Sequence, residues 1–141
     1  MDTPRHSVSV AAVITDDQGR ALLIQRRDNG HWEPPGGVLE LDETIEDGLR
    51  REVREETGFD IEPGSLTGVY KNMILGIVAL VFRCKIIGGQ LDPTDEATAF
   101  RWADHDQIRR LTTEAYATRV LDGLCRNRTA AIRHHDGTKV L

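Results

Sequence analysis

The sequence predicts a mixed α/β domain. Aliphatic, β-branched runs and segments of helical periodicity follow one another in the order strands, helix, strands, helices. The 141 residues suit a single domain spanning 1–141, which at this length buries roughly two-thirds of its unfolded surface without disulfide or metal staples. A hydrophobic share of 39%, with 18 Lys and Arg against 23 Asp and Glu, is that of a globular protein.

Residues 7 to 15 (SVSVAAVIT) and 21 to 27 (ALLIQRR) flank DDQG, and the pattern predicts a hairpin that bends at Asp17 and Gly19. Residues 28 to 43, dense in Gly and Pro, read as loop. Thr44-x-x-Asp47 resembles a capping box with Asp in place of Glu, so a helix starts there, runs to Thr57 and stops at Gly58. Past Pro63-Gly64 the pattern gives strands near 66–70 and 76–87, a turn at Gly88-Gly89 and a strand near 98–103. Helices near 104–111 and 113–125 follow, the second with Ala115, Val120, Leu121 and Leu124 available for one face. Asp136-Gly137, between two extended runs, signals a closing hairpin. Such an edge would suit a homodimer.

The net charge of −5 and the lack of a basic face exclude a nucleic-acid polymer as partner, and an anionic ligand would need cations to mediate. Cys84 and Cys125 have no metal-ligand spacing and read as buried or incidental thiols, which fits a reducing cytoplasm. The N-terminus MDTPRHSVSV lacks the apolar core of a signal peptide. The longest apolar run, Met73 to Phe82, contains Gly76 and is too short to span a bilayer, so no membrane partner is expected.

On a helical wheel, Ile45, Leu49 and Val53 form an apolar stripe, with Glu52, Glu55 and Glu56 along its edge. Like charges at this spacing repel, and a carboxylate beside a buried face loses hydration unless a cation meets it. Arg51, Glu52, Arg54, Glu55 and Glu56 are therefore either a solvated charged face or a cation site. Two features argue for the cation: the glutamates abut the apolar stripe, and Gly48 interrupts their row, which suggests open space kept for a ligand. Oxygen ligands without His or Cys suit Mg²⁺ or Mn²⁺.

Gly37, five residues, Glu43, seven residues, then Arg51-Glu52-Val53-Arg54-Glu55-Glu56-Thr57-Gly58-Phe59 satisfies every specified position of the Nudix box, Gx5Ex7REUxEExGU. The chain thus resembles the Nudix hydrolase family of MutT-like proteins, with Trp32 and Gly36-Gly37 similar to its usual lead into the box. The resemblance implies an α/β/α sandwich with a mixed sheet and metal-dependent hydrolysis of a nucleoside diphosphate linked to another moiety. It implies Glu52, Glu55 and Glu56 as metal ligands, the Gly37 carbonyl as a further one, and Arg51 and Glu43 as residues that orient them. The general base comes from Glu55 or Glu56, with Glu96 second; Glu96 resembles the family's glutamate upstream of an Arg-Trp pair, or is a solvent-facing loop charge beside Asp92 and Asp95. The other class of function the family offers is a silent nucleotide sensor. Such domains commonly lose box glutamates, all of which are retained here.

For the substrate, Arg26 and Arg27 end a strand, and alternation sends one to each face, one to clamp a phosphate and the other to the surface. Trp32 stacks on a base or packs beneath the loop. Tyr70, Lys71 and Asn72 either face the site or are solvated turn residues. Pro34 stands where many members carry a bulky apolar residue, and position 74 is isoleucine rather than the proline typical of ADP-ribose hydrolases, so the resemblance singles out no substrate.

Overall fold

The computed structural model describes residues 2–141, with β1 (Ser7–Ile14), β2 (Ala21–Arg26), β3 (Trp32–Glu33), β4 (Gly36–Val38), α1 (Ile45–Thr57), β5 (Phe59–Asn72), β6 (Ile77–Gly89), β7 (Ala97–Ala103), α2 (His105–Leu111), α3 (Glu114–Leu124) and β8 (Ala131–His135). A five-stranded sheet runs β4-β1-β6-β5-β8 and is mixed: β1 is parallel to β6 and β8 to β5, while β1 and β4, and β5 and β6, are antiparallel. A three-stranded antiparallel sheet runs β3-β2-β7.

Strand β1 shows why helices lie on both faces. Val10 through Ile14 are all buried, as in an interior strand covered on both sides. Val10, Ala12 and Ile14 pack with Leu49 and Val53 of α1. Ala11 and Val13 point the opposite way, toward Tyr70, Val81 and Leu124 of α3. The result is the α/β/α sandwich the sequence implied. Helix α3 lies so close to β1 that a Cβ on Gly123 would stand 2.9 Å from that of Val13.

The expected hairpin of β1 and β2 does not form. The two strands belong to different sheets, linked by the single bridge Thr15↔Ala21 and by a turn in which the Asp16 carboxylate accepts the Gln18 and Arg20 N–H groups. Both strands are apolar on both faces: Leu22 joins the core under α1, while Ala21 and Leu23 join the one formed with Ile108, Ala117 and Val120. Each strand therefore needs cover on two sides. The supposed loop 28–43 holds the short strands β3 and β4, and β6 continues through Gly88 and Gly89 instead of turning there. At the C-terminus the hairpin is reduced to one bridge, His135↔Val140, around Gly137 at φ 102°, and β8 forms the sheet edge.

Helix α1 begins where predicted. The Thr44 hydroxyl accepts from the Asp47 N–H at 3.2 Å, but the Asp47 carboxylate turns to Arg50, so only half of the capping box exists. Gly58 ends the helix at φ 85°, donating its N–H to the Arg54 carbonyl. Leu49 and Val53 are fully buried, whereas Ile45, in the first turn, is 41% exposed and leaves the stripe.

Candidate active site

Arg51 is the hub of the α1 edge. It grips Glu43 bidentately, Nη2 donating to Oε1 at 2.6 Å and Nε to Oε2 at 2.9 Å, and its Nη1 reaches Glu52 at 3.0 Å and Glu55 at 3.3 Å. The Arg51 bonds and the Glu40 N–H hold the Glu43 carboxyl down at about 2. Gly48 serves this grip. A Cβ there would overlap Leu39 and come within 2.8 Å of Glu43 Oε1, so the glycine admits the loop to the helix rather than keeping open space for a ligand.

Glu52 and Glu56 turn inward and are buried. The Glu52 carboxylate lies against Gly37, where a Cβ would stand 2.6 Å from its Oε1, so only glycine leaves it room. Glu56 Oε1 accepts the Gly36 N–H at 3.2 Å. Burial raises both carboxyls. Glu56, with Glu52 and Glu33 adding repulsion, is pushed up to about 9.

Glu96 comes to the same place from the segment that leads into β7. One carboxylate oxygen each from Glu52, Glu55 and Glu96 lies within 4.8 Å of the others. This all-oxygen cradle, with a single arginine to offset it, fits a hard divalent cation. Arg27 fixes the segment: its N–H bonds the Glu96 carbonyl, and its guanidinium donates to the carbonyls of Asp95 and Thr94 at 2.8 and 3.2 Å.

Arg26 and Arg27 both line the cleft, about 540 Å³, that holds Glu52, Glu56 and Glu96. Strict alternation fails because the β2–β7 register shifts between Gln25 and Arg26. Arg26 is paired with Asp28 at 2.6 Å and Glu33 at 3.3 Å. Trp32 is outside the cleft: it packs against the Leu23 core, and the Arg101 guanidinium lies 5.7 Å from its ring centre. Tyr70 is buried, with its hydroxyl donating to Asp122 at 2.7 Å, and borders a neighbouring cavity instead. Sequence reasoning overlooked Glu33, a half-buried carboxyl shared by the two spaces, and Arg119, a charge on the inward side of α3. The signal for Arg119 was available, because it sits four residues from Ala115 on the face assigned to the core.

A carboxylate-edged helix between a Gly-Gly strand and a glutamate loop, in an α/β/α sandwich, is the arrangement of a hydrolase. The NUDIX domain matches residues 5–123, and the chain belongs to the Nudix hydrolase family. It is 53% identical over 138 residues to a MutT-like protein of Streptomyces ambofaciens, covering 98% of this chain and 89% of that one. An ADP-ribose pyrophosphatase of Methanocaldococcus jannaschii is 34% identical over 74% of this chain and 66% of its own length. An 8-oxo-dGDP phosphatase of Homo sapiens is 40% identical over 64% of this chain, which spans 28% of that protein. In fold, the chain is similar to an ADP-ribose pyrophosphatase from Streptococcus suis, with a TM-score of 0.79 at 21% identity over 91% of this chain and 99% of the other.

Proposed function

We propose that residues 1–141 act as one cytoplasmic domain that hydrolyses a pyrophosphate bond in a nucleoside diphosphate linked to another moiety, with Mg²⁺ or Mn²⁺. The observation that carries this reading is the convergence of the Glu52, Glu55 and Glu96 carboxylates, of which Glu52 and Glu96 line the cleft. These residues would hold the cation with help from Glu56 and the Gly37 carbonyl. When bound, it supplies positive charge against the pyrophosphate oxygens and makes water a better nucleophile at neutral pH.

The chain's own residues do the rest. Arg51 and Glu43 fix the glutamates, so that little reorganisation is needed when substrate arrives. Glu55 or Glu56 takes the proton of the attacking water, with Glu96 the second choice. Arg26, at the end of β2, exchanges its contact with Asp28 for a substrate phosphate. The relatives named for ADP-ribose and for 8-oxo-dGDP support a nucleotide-type substrate.

The test is release of phosphate or nucleoside monophosphate with Mg²⁺ from a panel of ADP-ribose, nucleotide sugars, dinucleotides, and ordinary and oxidised nucleoside di- and triphosphates. Turnover of at least one, abolished by EDTA, is expected. Tight binding without turnover of any would replace the reading with a sensor.

A further inference from the structure

Beside the cleft lies a second cavity, about 230 Å³, which shares Arg26, Glu33 and Gly36 with it. Arg119 forms part of its wall. The residue is 6% exposed, and its guanidinium lies 4.5 Å from the ring centre of Tyr116 and 5.2 Å from that of Tyr70. Nη2 reaches His135 Nε2 at 3.4 Å, Nε has no hydrogen-bond partner, and no carboxylate among the described residues pairs with the group.

A buried cation without an anion is unfavourable, and two aromatic faces offset only part of that. A partner is close at hand on the same helix, yet Asp122 is taken by Tyr70, Arg128 and Arg133. Glu33, the acid of this cavity, is engaged by Arg26. An arginine kept only for structure would pair with one of them. Arg119 instead lies over two aromatic rings, with its Nε–H unmatched.

We propose that Arg119 is the specificity-determining anchor of a second subsite, which receives the part of the substrate that presents paired hydrogen-bond acceptors. The proposal rests on the pyrophosphatase reading only for the placing of the scissile bond in the adjoining cleft. A guanidinium has donors and no acceptor, so the subsite takes oxygens and rejects an amino group in their place. Two sources supply such oxygens: a phosphate or carboxylate at the end of the substrate, or the carbonyl edge of a base, which arginine reads with two parallel bonds.

The experiment measures dissociation constants by calorimetry with Mg²⁺ present, using nucleotides that contain no pyrophosphate bond, so hydrolysis does not intervene. IMP is compared with AMP, a carbonyl against an amino group, and adenosine 3′,5′-bisphosphate with AMP, an added anion. The wild type should prefer the acceptor-bearing member of at least one pair by about tenfold or more. Arg119→Met should reduce that preference to about twofold or less. Arg119→Lys keeps a point charge but loses the fork, so it retains much of an anion preference and little of a carbonyl one. The pair that responds identifies the source. No preference in either pair, or a preference that survives in Arg119→Met, overturns the proposal. If that variant does not fold, the wild-type Arg119 Nε–H resonance decides: it moves when the preferred nucleotide is added, and a resonance indifferent to all three overturns the proposal. Because hydrolysis is not the readout, an absence of pyrophosphatase activity and an absence of this subsite are separate results.

Discussion

At the scale of single residues, Glu56 combines burial, a short-range neighbour of like charge and one backbone donor. Its folded-state carboxyl titrates at about 9, above the 4.5 of an ordinary glutamate. Between those values the unfolded chain binds fewer protons, so in EDTA stability should fall as pH rises from 4.5 toward 9 and level off on either side. Glu56→Gln removes this dependence, leaving a smaller slope from Glu52. At pH 8 in EDTA the variant should melt at least about 4 °C above the wild type, the shift that about 1 kcal/mol produces in a domain of this size, yet lose about a hundredfold or more in kcat. Melting curves at pH 5 and pH 8 check the first part; a variant less stable than wild type at pH 8 would show that the carboxylate is a structural ion-pair partner. Arg51→Lys belongs to the same scale. One ammonium cannot serve Glu43 bidentately and still reach Glu52 and Glu55. We expect about a tenfold or greater loss of kcat, and an unchanged kcat would mean that the glutamates orient themselves.

At the scale of elements, the site divides into what one helix supplies and what the fold brings to it. Arg51, Glu52, Glu55 and Glu56 were legible because they lie on a continuous segment whose periodicity sets their neighbours, and Glu43 because it stands a fixed distance upstream. Glu33 was not, since it reaches the cleft only after β3 has packed beside β2, and no local spacing encodes that; Arg119 was legible as a charge on the core face of α3, but the cavity it lines forms only when α3 packs against β5. Hairpin and crossover are alike ambiguous from sequence: β1 and β2 are adjacent apolar runs with a good turn between them, and only their two-sided burial separates them. Gly48 shows the same limit. The wheel placed it correctly among the glutamates, but the occupant of the space above it is Leu39 and Glu43, from a loop whose path the wheel cannot give. Gly48→Ala should therefore destabilise by about 1–3 kcal/mol through overpacking, despite a gain of roughly 1 kcal/mol in helix propensity. A higher melting temperature for that variant would restore the open-space explanation.

At the scale of the whole molecule, the proposed cation site would link stability to Mg²⁺. Mg²⁺ should raise the wild-type melting temperature in proportion to the logarithm of its concentration above the dissociation constant. Glu52→Gln should lose most of that increment. An equal increment in both proteins would locate the binding elsewhere.

The position of Glu96 carries this further. Glu52 and Glu55 stand on α1, seated on the five-stranded sheet, while Glu96 leads into β7 of the three-stranded sheet and is tied by Arg27 to β2. An ion held by all three would fasten one sheet to the other, adding to the bridge Thr15↔Ala21 and to the hydrogen bonds by which Asp92 N–H and the Thr94 hydroxyl already meet the Thr57 and Glu56 carbonyls at the end of α1. Amide hydrogen exchange can detect such a fastening. Loading with Mg²⁺ should slow exchange at Arg27 and Ala97, whose N–H groups lie in and beside the Glu96 segment, far more than at Val81 in the middle of the large sheet. The cleft would then be assembled cooperatively by its own cofactor, and the breathing of one sheet against the other would set how readily substrate enters and product leaves.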